Sequence, residues 1–258
     1  MKKTWKYLYL AVVYLFLYLP MVFITVFSFN NANRSVSWQG FTWQWYEALL
    51  NNNALTQAVW HSLLLGMLAA TSAVLLALLI SISLFRYQFF GKKLLHGLIF
   101  ILVMTPEIVM AVSLLLLYSV FKIPLGFWSL LLAHISLGVP FAAITIYSRI
   151  ADSDPHIFEA AVDLGAGDFT IFTKIIIPLL LPAILVGWLL CFTLSVDNII
   201  LSYFVSGPAF TTLPLKIYSM VRTGVKPEIN ALCSLMMLFT LFTAIVSYKT
   251  IFNQSTNQ

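Results

Sequence analysis

Glu107 and Asp197 are the two acidic residues that fall deep within long apolar stretches of this chain. A carboxylate at bilayer depth costs roughly 2.5–3.5 kcal/mol on insertion scales, so such a group faces a cavity and by default marks a substrate or ion route. Glu107 directly follows Pro106, and Asp197 lies in Ser195-Val196-Asp197-Asn198 with Tyr203 shortly after. Together Glu107, Ser195, Asp197, Asn198 and Tyr203 offer carboxylates, a hydroxyl, an amide and an aromatic face. That set suits a cation, because rings attract cations by roughly 0.5–2 kcal/mol each. Two plainer readings stand beside it. A protonated Glu107 could relieve backbone groups freed by Pro106, and Asp197 could pair with a lysine of another subunit. His96 and His134 have no matched ligand cluster and read as packing or hydrogen-bonding residues, while His61 reads as a cap or anchor. No metal site is expected. Cys191 and Cys233 sit in apolar runs without the spacing of a metal or redox pair.

The elements that hold these residues follow from composition. The chain has 258 residues, 61% hydrophobic and 9% charged, with mean hydropathy +0.95. A soluble domain would carry about 25% charged residues. The expected fold is therefore an all-α polytopic membrane protein, one transmembrane domain over 1–258. A bilayer core needs about 20 apolar residues per helix. Six spans meet that length, at about 7–29, 61–85, 95–118, 127–147, 181–204 and 229–251. The amino-terminal run lacks a cleavage site and reads as a retained signal anchor. Basic residues fall nine on one side (Lys2, Lys3, Lys6, Arg86, Lys92, Lys93, Arg149, Lys174, Lys249) and five on the other (Arg34, Lys122, Lys216, Arg222, Lys226). That bias puts both termini in the cytoplasm. The positive net charge is accounted for by this loop asymmetry, so nucleic acid is not an expected partner.

Between the fourth and fifth spans, at about 148–180, lies a polar island. Five of the nine acids (Asp152, Asp154, Glu159, Asp163, Asp168) are in it. Folding gives no reason for so much charge there, so the island is expected to touch something outside the membrane. Asp154-Pro155 reads as a helix start, and Gly165 as its stop. A second short helix is expected to begin after Asp168, lead through Phe169 and Phe172, and end before Pro178. The result would be a cytoplasmic helix–Gly–helix knob.

Glu159-Ala160-Ala161, then Gly165, Ile175, Ile177 and Pro178, resemble the EAA signature of ABC-importer permeases, with Ile177 where leucine is usual. WQGFTWQWYEALLNN, TPEIVMAVSLLLL and LPLKIYSMVRTGVKPEINAL extend the resemblance to the polyamine permeases of that family. The resemblance implies the type I ABC-importer permease fold in a bacterial inner membrane. It also implies a sister permease, a dimer of ATPase subunits docked at the EAA residues, and a periplasmic polyamine-binding protein. Trp45 and Lys216 in outer loops would face that binding protein. Trp45 equally fits an interfacial aromatic belt. The chain has no G-x-x-x-x-G-K-[ST] phosphate loop, so it is expected to be non-catalytic, with ATP and Mg on the ATPase and no cofactor of its own. The alternatives are a permease of the same class for another solute and, further off, an ion-coupled secondary transporter. Inverted repeats of the latter kind are not visible here.

Overall fold

The computed structural model describes residues 2–32, 37–154, 156–224, 227–238 and 241. Helix dominates, and among the described residues no strand forms, only an isolated bridge between Asn30 and Phe41. The chain divides into two compact units, 1–57 with 216–258, and 58–215.

In the first unit, α1 (Lys2–Phe27) is apolar all round and contains Pro20. The side chains along its apolar length, Trp5 to Phe27, are not buried against protein. Such a helix needs lipid or another protein as its solvent. A polar hairpin follows. The Asn30 amide donates to the Ser37 carbonyl at 2.6 Å and accepts from the Gln39 N–H at 2.8 Å. Phe29, Phe41, Trp43 and Tyr46 pack their rings at centroid distances of 4.8–5.6 Å, and α2 (Gln44–Leu50) closes the segment. The Asn52 side-chain oxygen accepts the Leu55 N–H at 3.2 Å. That cap starts α3 (Asn53–Arg86) well before the expected beginning near His61.

The second unit holds most of the remaining helices. After α4 (Lys92–Met104) comes α5 (Glu107–Val120), and the two meet at 112°. The expected third span is therefore sharply bent at Pro106. The reason is local. A residue before proline is pushed out of the helical region, and both Thr105 (ψ 127°) and Pro106 (ψ 134°) are extended. Two extended residues in series redirect the chain. α6 (Phe127–Ala151) then packs along α9 (Ile177–Val196). Small residues allow a close approach: Gly138 faces Ala73 and Cys191, and Gly187 faces Ala142. Membrane helices pack this way because lipid gives no hydrophobic incentive to associate, leaving dispersion at short range. Cys191 is buried and its thiol donates to the Gly138 carbonyl, as a packing residue should.

Between α6 and α9 lie α7 (His156–Asp163), α8 (Asp168–Ile171) and a π-helical turn, Phe172–Ile176. α10 (Ile200–Val205) follows α9, and α11 (Leu213–Thr223) and α12 (Pro227–Leu238) end the described chain. By length and composition four helices among the described residues can cross a membrane, or five if α4 and α5 form one bent span. The expected sixth span, 229–251, begins within α12, and about half of it lies outside the described residues. The expected fifth, 181–204, begins earlier, at Ile177, and is interrupted after Val196.

Candidate functional site

The break after α9 and the break before α5 meet through one amide. Asp197 and Ile199 separate α9 from α10. Between them Asn198, 5% exposed, replaces the missing helical bonds. Its side-chain oxygen accepts the Leu201 N–H at 2.8 Å, and its carbonyl accepts the Ser202 hydroxyl at 2.9 Å. Its side-chain N–H₂ points to Glu107 Oε2 at 3.4 Å. Glu107 is half-buried at the first position of α5, where a negative charge complements the positive end of the helix. Broken helices of this kind place backbone and side-chain dipoles at membrane depth where they line a cavity or a site.

One turn back on α9, Ser195 is 6% exposed and shares a 2.7 Å hydrogen bond with His134 Nδ1 on α6. His134 is itself buried, and its Nε2 has no protein partner. The structure thus brings together Glu107, Asn198 and Ser195 from the expected set and adds the hydrogen bond to His134. Asp197 is exposed at the break, and Tyr203 on α10 is half exposed beside Phe204. His61 is stacked on Phe210 at 4.1 Å with its ring nitrogen 3.2 Å from the Thr211 carbonyl.

The island between α6 and α9 is built as a knob. Asp154 accepts the His156 N–H at 3.0 Å and starts α7, while Pro155 lies outside the described residues. The helix ends in two bonds, Gly165 N–H to the Val162 carbonyl at 2.8 Å and Ala166 N–H to the Ala161 carbonyl at 2.9 Å. That pair is a Schellman stop, which needs a left-handed residue. Gly165 supplies it with φ +80°. Ala161, Ile171 and Ile176 are buried in the unit's core, and Ile175 packs on it. Glu159, Ala160, Val162, Leu164 and Phe169 are exposed, Leu164 at 88%. The second arm does not stop before Pro178, contrary to expectation. α8 continues through the π turn into α9, giving one helical run, Asp168–Val196. The widened turn, in which the Ile177 N–H reaches the Phe172 carbonyl, carries the chain past a proline that lacks its own donor.

Charge concentrates on the knob. His156 Nδ1 lies 3.0 Å from Glu159 Oε2. That hydrogen bond, then the charges of Asp154 and Glu159, raise the imidazole pKa above its ordinary value. A cleft of about 380 Å³ lined by His96, Phe100, Tyr147 and Asp152 also includes Leu84, near the end of α3, and does not include the Glu107–Asn198 junction.

Trp45 and Lys216 occupy the first unit. The Trp45 indole donates to the Asn30 carbonyl at 2.7 Å and holds the hairpin, while Trp38, Phe41 and Trp43 carry the exposed aromatic surface. Lys216 is half-buried on α11.

The family model for the inner membrane component of binding-protein-dependent transport systems matches residues 64–255, which includes both the junction and the knob. The chain belongs to this family. The permease is 47% identical over 239 residues to the spermidine/putrescine transport system permease protein PotC of Escherichia coli K12, covering 93% of this chain and 90% of that protein. It is 48% identical to the PotC of Haemophilus influenzae, over 93% of both chains. It is 37% identical to the putrescine transport system permease protein PotI of Escherichia coli K12, over 92% of this chain and 86% of PotI. Among solved structures it resembles a chain of a bacterial ABC transporter that imports the acidic polysaccharide alginate. There the TM-score is 0.74 at 14% identity, covering 97% of this permease and 95% of that chain. A chain of the MetNI methionine ABC transporter gives 0.58 at 14% identity over 76% and 94%. These likenesses establish the fold. The solutes named for them differ, so the fold alone does not choose a substrate charge.

Proposed function

We propose that this chain is a permease subunit of an ATP-driven importer that carries polyamines, spermidine and putrescine, into the cytoplasm across the bacterial inner membrane. The observation that carries the proposal is the 47% identity to a spermidine/putrescine permease over nearly the whole chain. The site chemistry supports it. Glu107 and Asn198 join two broken helices, and Asp197 is exposed at the same break. A flexible polycation needs spaced carboxylates and amide oxygens that hold its ammonium groups weakly enough to release them. An anion site would need basic groups or convergent helix N-termini instead. Glu107, Ser195, Asp197, Asn198 and Tyr203 are the residues assigned to the path.

Membership of the family supports the rest of the assembly. The six-span topology with both termini cytoplasmic belongs to this proposal, as does pairing with a sister permease and a periplasmic polyamine-binding protein that docks near Trp45 and Lys216. Glu159, Ala160, Ala161, Gly165, Ile175 and Pro178 form or brace the surface on which a separate ATPase dimer seats, with ATP and Mg on that subunit. An apolar prong with acids around it suits a partner recess with a basic rim. The test is labelled-spermidine uptake in cells lacking polyamine import, supplied with the ATPase, sister permease and binding protein, with and without this chain. Uptake that needs the chain and is competed by putrescine supports the reading. An assembled complex without uptake retains the permease and removes the polyamine assignment.

A further inference from the structure

The knob is fastened at two points to a single turn of α3, and the two points bracket its apex. Phe85 packs its ring on Phe158 of α7 at 5.7 Å, one residue before Glu159. The next residue, Arg86, donates to Asp168 Oδ1 at 2.5 Å, on the arm that follows Gly165. Leu84, one residue earlier, is buried in the same core as Ala161, Ile171 and Ile176. Two successive residues at the end of α3 thus contact both arms of the knob, and Leu84 before them shares its core. The Arg86–Asp168 pair is exposed at 33% and 79% of its side chains. Exposed pairs add little to folding. What a short charge-assisted contact does supply is direction and register.

α3 has no proline and, between Gly66 and Arg86, no further glycine. Over that stretch it is a rod about 30 Å long at 1.5 Å per residue. The Gly66 end of that stretch lies against the last turn of α9, just before the polar junction. A Cβ on Gly66 would come within 2.9 Å of Val196 and 3.1 Å of Phe192, so the α3 backbone lies against the last turn of α9, next to Asp197.

We infer that Phe85 and Arg86 are positioning residues that clamp the ATPase-facing knob to α3, making α3 the rod between the knob and the helix break at Asp197–Asn198. Burial of Ala161, Ile171 and Ile176 holds the knob in the core but gives it no directional contact to α3. A knob held at Phe158 and Asp168 moves α3 with it. The inference rests on the coupling role proposed for Glu159, and its test separates the two.

The purified assembled complex in proteoliposomes is assayed for labelled spermidine moved per ATP hydrolysed, a ratio that a purely structural contact would leave unchanged. Arg86→Asp and Asp168→Arg should each lower that ratio by about fivefold, the upper end for an exposed pair. The double variant should return it to within about twofold of the parent, as expected of two side chains that act through each other. Arg86→Gln, read the same way, replaces the reversals if either reduces co-purification of the ATPase. Glu159→Lys runs in parallel. If Glu159→Lys uncouples transport while the Arg86 and Asp168 variants leave the ratio unchanged, or the double variant is no better than the singles, the clamp is wrong and the docking site stands. If Glu159→Lys also leaves the ratio unchanged, the coupling role of the knob falls with it.

Discussion

Glu107→Gln separates charge from shape at the junction. The amide is nearly isosteric and keeps an oxygen to accept the Asn198 N–H, so the 3.4 Å contact between the two broken helices can survive. Loss of the negative charge from the first turn of α5 costs about 0.3–1 kcal/mol of helix stability. That is too little to prevent folding of a packed subunit. The effect on transport is larger. A carboxylate and an ammonium 4 Å apart attract by about 1 kcal/mol in water and about 4 kcal/mol at the effective dielectric near a protein surface. Glu107 is half-buried, which puts the useful attraction at about 1–2 kcal/mol, or about 5- to 30-fold in kcat/KM. The assay is the initial rate of labelled-spermidine uptake across a concentration series, normalised to assembled complex in the membrane. Glu107→Asp should fall between parent and amide. Parental kcat/KM in Glu107→Gln, with the complex assembled, would refute the charge-path argument and leave Glu107 as a helix-start residue.

Asp197→Asn should also reduce polyamine uptake while leaving the complex intact; unchanged kinetics would make Asp197 structural. Gly66→Val would push a side chain into Val196 and Phe192 and should destabilise the subunit by about 1–3 kcal/mol, read as a lower unfolding temperature of the purified complex. An unfolding temperature equal to that of the parent would contradict the tight α3–α9 approach. The His156–Glu159 contact carries a pH dependence. Because the imidazole pKa is raised in the folded knob, the contribution is present below the ordinary histidine pKa and lost as pH rises through the raised value. An NMR titration should find His156 protonating at higher pH than an unperturbed histidine, and Glu159→Gln should move it back; an ordinary value in the parent rules the contact out.

Punctuation residues carried much of the fold into the sequence. Gly165 marks the stop of α7 because only a left-handed residue closes a Schellman turn cheaply, and Pro106 marks the bend because it removes a donor and straightens its neighbour. Asn52 caps α3 within a run of asparagines that reads as a loop, which hid the start of that helix. Other features depend on distant partners. Which helix the redirected α5 packs against, chiefly α10, is one of them. The hydrogen bond between His134 and Ser195 joins positions far apart in the chain, and the Arg86–Asp168 contact does the same. No local pattern encodes either. The break at Asp197–Asn198 had a signal in two side chains that compete with helix bonding, masked by the apolar residues around them. Pro178 misled for the opposite reason, since a π turn absorbed a residue that usually ends a helix.

Polyamine import by this permease is expected to depend on ATP. Its most direct test is reconstitution of the purified chain with its sister permease and ATPase in liposomes, with the binding protein added outside. ATP-dependent accumulation of labelled spermidine is expected, lost when this chain is omitted and competed by putrescine. An assembled, ATP-hydrolysing complex that accumulates an anion or a neutral solute but neither polyamine would contradict it.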